Sequence, residues 1–318
     1  MFEHLLVPLD GSSLAECVLP HALAISKALG ARVTLLQVVE QAEPAGRTRA
    51  IDPLDWQYSE AEAGAYLQDV TERLSTAGLS VAQVLLQGDP AERVIDYAQS
   101  EHVDLVLLSS HGRGGLSGWN ISSVVQKILA RAHVSMLLVP AYHRVTTDLT
   151  ALRYERMLVP LDGSQRAECV LPLVGALAAE HTSKVLLAHV VRKPELPRRA
   201  SPSKEDRELA EALTERNYSE VSLYLEELRA RLSPPADVHI LIEEHVAATL
   251  QHLAVQEDVD LVLLSAHGYS GETRWPYGSL TTSFMMYGNK PLLIVQDLPR
   301  HAFEPTAAEL AAREHGRH

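Results

Sequence analysis

The chain has 318 residues, 46% of them hydrophobic and 22% charged, which is the balance of an ordinary globular protein. Its formal net charge of −13 excludes sequence-independent nucleic-acid binding, which needs a cationic face to displace counterions from phosphate. It does not exclude a nucleotide, because backbone N–H groups alone can hold phosphate. No apolar run approaches a bilayer-spanning length of about 20 residues. Met1-Phe2-Glu3-His4 leads straight into a strand with no secretory pattern. The two cysteines, Cys17 and Cys169, are read as reduced thiols in buried helices. The expected setting is cytoplasmic, with no membrane partner.

In chain order, residues 4–9 are an apolar run ending in Asp10-Gly11-Ser12, a strand followed by a turn and a helix start. Val18, Ala22, Ile25 and Leu29 fall at helical spacing, and Gly30 stops that helix. A strand over 33–39, a loop over 41–53 and a helix over about 55–77 follow. Then come a strand at 81–86, a helix opening at Gly88-Asp89-Pro90, a strand at 103–109, a glycine-rich loop, a helix over 122–132 and a strand at 136–139.

The order then repeats. Leu5-Leu6-Val7-Pro8-Leu9-Asp10-Gly11-Ser12 returns as Met157-Leu158-Val159-Pro160-Leu161-Asp162-Gly163-Ser164, an offset of 152 (162 − 10). Asp104 to Gly112 returns as Asp260 to Gly268, an offset of 156 (260 − 104). The second half predicts strands at 156–161, 184–191, 237–242, 259–265 and 291–295, with helices at 165–180, 204–232, 246–256 and 279–288. Val221, Leu225, Leu228 and Leu232 form a core-facing seam on the long helix. Pro20 and Pro172 are expected to kink the first helix of each half.

Alternating strands and helices predict an α/β fold of two tandem doubly wound domains, each a five-stranded parallel sheet flanked by helices. The boundaries read as 1–143 and 155–297, with a linker at 144–154 and a polar tail at 298–318.

Ligands of such sheets sit beyond the carboxyl ends of the strands, where strand order reverses. Two doubled segments reach that edge: Pro8 to Ser12 with Pro160 to Ser164, and Ser109 to Gly112 with Ser265 to Gly268. Neither Gly-x-Gly-x-x-Gly nor Gly-x4-Gly-Lys-Ser/Thr is present. Instead Ser265-x2-Gly268 is followed after nine residues by Gly278-Ser279-Leu280 at a helix start, whose leading amides are unpaired.

On these residues the chain resembles the universal stress protein family in its tandem form, over nearly all of 1–296. The resemblance implies a Gly-x2-Gly-x9-Gly-Ser/Thr phosphate motif after the fourth strand and an aspartate closing the first. Carried over, the second half supplies Pro160, Asp162, Val190, Ser265, Gly268, Gly278, Ser279 and Leu280. The first supplies Pro8, Asp10, Val38, Ser109, Gly112, Ser122, Ser123 and Val124. Both halves have serine at the first glycine, and the first half has Ser122 at the third. If that position needs a left-handed backbone, serine costs about 1–2 kcal/mol there, which favours the second half.

The resemblance further implies ATP as cofactor, a Mg2+-type divalent ion bridging its phosphates, and loops 109–122 and 265–278 ordered for an unknown protein partner. It implies Met136–Val139 and Leu292–Val295 pairing the modules as a pseudo-twofold dimer, and homodimers of the chain. No catalytic role is assigned. A nucleotide-free scaffold and a slow ATPase are the alternatives. Asp10 and Asp162 read as ligand residues over simple turn formers, and His111 and His267 as loop stabilisers. Cys17 and His21 have metal-pair spacing, but Leu173 replaces the histidine in the second half. Arg113 and Arg274 read as surface charges, and Trp119, Trp275 and Tyr277 as packing residues.

Overall fold

The computed structural model describes residues 1–40, 53–113, 121–141, 148–195, 201–233, 235–269 and 276–298. The first half runs β1 (His4–Leu9), α1 (Leu19–Leu29), β2 (Arg32–Val39), α2 (Pro53–Thr76), β3 (Val81–Gln87), α3 (Pro90–Ser100), β4 (Leu105–Ser109), α4 (Ser123–Arg131) and β5 (Ser135–Val139). The second runs β6 (Arg156–Pro160), α5 (Leu171–His181), β7 (Lys184–Val191), α6 (Lys204–Arg231), β8 (Asp237–Ile242), α7 (Val246–Gln256), β9 (Leu261–Ser265), α8 (Ser279–Tyr287) and β10 (Leu292–Val295).

All ten strands form one sheet in the order β3-β2-β1-β4-β5-β10-β9-β6-β7-β8. Each half is parallel throughout. The halves meet at an antiparallel seam where Leu292, Leu293 and Ile294 pair Leu138, Leu137 and Met136. Strand residues alternate between the two sheet faces. Leu5, Val7 and Leu9 therefore join the core under α1, α2, α5 and α6. Leu6, Leu36 and Val106 join the core under α3, α4, α7 and α8. Both helix layers are continuous across the two halves.

The strand order reverses between β1 and β4, and the ladder there is short. It covers only Leu5↔Leu105 and Leu6↔Val106. Two residues on, Pro8 has no N–H with which to extend it. The second half repeats this with Met157↔Leu261 and Leu158↔Val262, then Pro160. A crevice therefore opens at each switch point, at the carboxyl edge.

Two expectations change in detail. A 3₁₀ turn, Ala15–Val18 or Ala167–Val170, precedes the first helix of each half. Pro20 and Pro172 then lie in the first turn of α1 and α5 rather than inside a helix. A first-turn N–H has no intrahelical acceptor, so proline loses nothing there and its fixed φ suits the start. The expected kink is absent. On α6 a capping box of Ser203 and Asp206 fixes the start. Leu225 and Leu228 of its seam are buried, with Val221 and Leu232 packed against the core.

Tyr154 is wholly buried between the halves. Its hydroxyl pairs with Nδ1 of His21 on α1 at 2.7 Å, and its ring meets His181 of α5 edge-on with centroids 5.0 Å apart. Burial holds the His181 pKa below its ordinary 6.5, and nearby Arg153 adds to this, while Glu180 and the Ala24 carbonyl oppose it. The unfolded chain then binds more protons as pH falls through 6.5, so acid removes stability. The denaturant midpoint should fall between about pH 7.5 and about pH 5.5, and fall less in His181→Gln.

Candidate functional site

Each crevice is a cavity. The second, about 780 Å³, is bordered by all of Pro160, Asp162, Val190, Ser265, Gly268, Gly278, Ser279 and Leu280. The first, about 980 Å³, is bordered by all of Pro8, Asp10, Val38, Ser109, Gly112, Ser122, Ser123 and Val124. Both lie within the roughly 300–1,000 Å³ of small-molecule sites.

The aspartates act on the protein's own backbone. Gly163, at φ +83°, makes the turn after Asp162, and that turn brings Ser164 back so that Oδ1 of Asp162 accepts its N–H at 3.0 Å and its hydroxyl at 2.6 Å. The other oxygen accepts the N–H of Tyr269, in the loop after β9, at 2.6 Å. Asp10 accepts from the N–H groups of Ser12 and Arg113 in the same way. A Cβ on Gly268 or Gly112 would overlap the carboxylate of Asp162 or Asp10. Those glycines are required by close approach, with no positive φ at either.

None of the three serine substitutions is strained, since Ser109, Ser122 and Ser265 are not among the positive-φ residues. Ser265 donates its hydroxyl to the carbonyl of His267. The Ser109 hydroxyl faces the carbonyl oxygens of His111 at 2.7 Å and Leu14 at 2.9 Å. Gly278 and Ser122 are both extended N-caps, at φ −71° and −68°. The conditional strain penalty at Ser122 therefore does not arise.

What differs is the helix mouth. The Ser122 hydroxyl accepts the N–H of Val125 and so occupies one leading amide of α4. Gly278 provides no such cap, and the first amides of α8 face the second cavity without one. In compensation, the Arg113 guanidinium comes within 3.0 Å of where a Cβ on Gly11 would stand, so it overhangs the first cavity. Its counterpart Tyr269 (113 + 156) is 86% exposed. Arg113 is exposed, as a surface charge is, and it also borders the cavity.

The two loop histidines are buried and differently anchored. His111 pairs through Nδ1 with the Ser110 hydroxyl at 3.1 Å, which also accepts the Ala141 N–H at 3.0 Å. His267 pairs through Nδ1 with Asp297 at 2.7 Å, and Arg166 reaches the same carboxylate at 2.9 Å. Both serve as loop anchors.

Cys17 lies 3.4 Å from the Ser109 hydroxyl, and burial pushes its thiol up to about 11. The Cys169 thiol, half-buried, is pushed up to about 12 by burial, with Asp297 adding to it. Neither is a thiolate at neutral pH. His21 pairs with Tyr154. Among the described residues no group of three or more His, Cys, Asp or Glu side chains could hold a metal. Tyr277 borders the second cavity and points its hydroxyl at the Met136 sulfur 3.6 Å away. Trp119, Arg274, Trp275 and most of the tail lie outside the described residues.

A family model described as the universal stress protein family matches residues 1–140 and again 153–296. The chain belongs to the universal stress protein family. This universal stress protein is 24% identical over 154 residues to one from Methanocaldococcus jannaschii, covering 44% of this chain and 95% of that relative. It is 32% identical over 145 residues to one from Thermus aquaticus, covering 44% and 99%. Each relative thus spans about one module. A solved universal stress protein from Archaeoglobus fulgidus shares the fold over both modules, with a TM-score of 0.64 at 17% identity, covering 93% of this chain and 98% of that one. No described helix is long and apolar enough to cross a membrane.

The aspartate–glycine contact yields a test. Gly268→Ala should cost about 1–3 kcal/mol in denaturant unfolding. In an Asp162→Ala background the same change should cost much less, because the clashing carboxylate is gone.

Proposed function

We propose that this universal stress protein binds ATP at the carboxyl edge of each half of its sheet, more firmly in the second module, and acts as a cytoplasmic regulator. The observation that carries the reading is the mouth of α8. There an uncapped helix start borders a cavity whose loop is drawn in by Asp162 at Gly268. Leading amides and the positive end of the helix dipole attract phosphate. Val190, from the end of β7, borders the same cavity and offers apolar surface to a base.

Both Asp162 oxygens are engaged by the turn and the loop. A divalent ion would therefore arrive with the nucleotide and be held mainly by its phosphates. Bound nucleotide would fix the loops after β4 and β9, and a protein partner would read that fixed surface. The His267 side chain is wholly buried beside Asp297, which suits an anchor more than a base. Turnover above background that is lost in Asp162→Ala would replace this reading with a hydrolase.

One observation favours a second reading for the first module alone. Its helix mouth is capped by Ser122, as expected of a scaffold that has given up nucleotide. Arg113 is the group that could restore anion affinity there.

Ser279 and Ser123 are exposed first residues of α8 and α4. Glutamate at either place suits the helix start but repels phosphate. By calorimetric titration, Ser279→Glu should weaken the tighter ATP site at least about tenfold, roughly 1.4 kcal/mol. Ser123→Glu should leave that site unchanged. Unaltered tight binding in Ser279→Glu would remove the second module from consideration.

A further inference from the structure

Gln37 on β2 is 6% exposed and borders the first cavity. Its Oε1 is buried and has no hydrogen-bond partner among the described residues. Turning the amide over would exchange the orphaned acceptor for an orphaned donor. At the equivalent place on β7 (37 + 152) stands His189, bordering the second cavity, and its Nδ1 is likewise buried without a partner among the described residues.

Both strands are otherwise apolar here: Leu35-Leu36-Gln37-Val38-Val39 and Leu187-Ala188-His189-Val190-Val191. Burying an unpaired polar atom is unfavourable, and an apolar residue would avoid that cost. An orphaned polar atom at the same place in both modules, on a residue that borders the crevice of its own module, is therefore a feature of the site. A side chain at 37 also points to the opposite face of the strand from Val38. It lies toward the turn at Gly11, where its Nε2 would stand 3.6 Å from an added Cβ. Residues 37 and 38, and likewise 189 and 190, thus address two sides of each mouth.

We infer that Gln37 and His189 are ligand contacts, each accepting a hydrogen bond from a donor group of the bound nucleoside. The inference rests on the nucleotide reading above. The chemistry required is an N–H or O–H on the ligand, which in ATP means a ribose hydroxyl or the exocyclic amine. Glutamine keeps its acceptor at any physiological pH. Neutral imidazole offers its acceptor at Nδ1 when Nε2 carries the proton.

The test isolates each module. Ser279→Glu leaves the first site to be titrated with ATP, and Ser123→Glu leaves the second. Adding Gln37→Leu to the former, or His189→Leu to the latter, should weaken ATP roughly three- to tenfold. The ligand-free Gln37→Leu protein should melt at or above its parent, since an orphaned acceptor has gone. Gln37→Met, closer in length, guards against misfolding of the leucine variant.

Exchange of the two residues, Gln37→His and His189→Gln, should retain affinity. Among 2′-deoxy-ATP, 3′-deoxy-ATP and N6,N6-dimethyl-ATP, the analogue lacking the contacted donor should bind parent and leucine variant alike. That analogue identifies the donor. ATP binding that is indifferent to both leucine changes overturns this assignment and leaves the nucleotide reading intact. Equal weakening of ATP and all three analogues makes the effect one of packing and also overturns it. No ATP binding by the parent or either single-site protein overturns the nucleotide reading, and this assignment with it.

Discussion

The carboxyl edge of each half of the sheet depends on one aspartate. It stands where the first strand ends, takes an N–H from its own turn with one oxygen and an N–H from the loop after the fourth strand with the other. A charged acceptor makes these bonds stronger than those between neutral groups. The bond ties segments 103 and 107 residues apart in the two halves. It also explains the neighbouring glycine, since the carboxylate lies where a side chain would begin. Proline two residues earlier has already ended the ladder to the fourth strand. One short segment thus opens the crevice and pulls the loop over it.

Within that common frame the halves differ in charge and capping. The first holds its loop histidine with a neutral hydroxyl, fills a helix start with Ser122, and hangs an arginine over the cavity. The second holds its histidine with a buried aspartate paired to Arg166, and leaves its helix start uncapped. The repeat preserves the architecture and leaves each mouth to be furnished separately.

Much of this could be read from residue order. The doubled motifs gave the module count, and apolar runs beside Asp-Gly and Gly-Ser located strand ends, because those signals are local and periodic. Less local features escaped. Pro20 and Pro172 looked like helix breakers because the 3₁₀ turn ahead of them has no distinctive pattern. Whether Ser122 stands in a left-handed backbone could not be read, because φ cannot be seen in a motif. That Asp10 and Asp162 also hold the backbone of a distant loop could not be read, because those partners lie about a hundred positions away. Gln37 and His189 stand at matching places but differ in residue type, so the repeat in residue identity does not mark them. The two share polarity, burial and place, and not residue type. Their signal in the sequence is a polar residue at the same offset inside two otherwise apolar strands.

The antiparallel seam has a further consequence for α8. A helix that starts at the carboxyl edge of its own half ends at the carboxyl edge of the other half. Accordingly Leu280 borders the second cavity, while Met286, less than two turns along, borders the first. At 1.5 Å per residue the whole helix is only about 13 Å long. The side chain at 286 thus answers to an opening framed mainly by the other half of the polypeptide. Cutting the chain between its halves would take a piece of wall from that opening, so the isolated amino-terminal piece would not reproduce it intact.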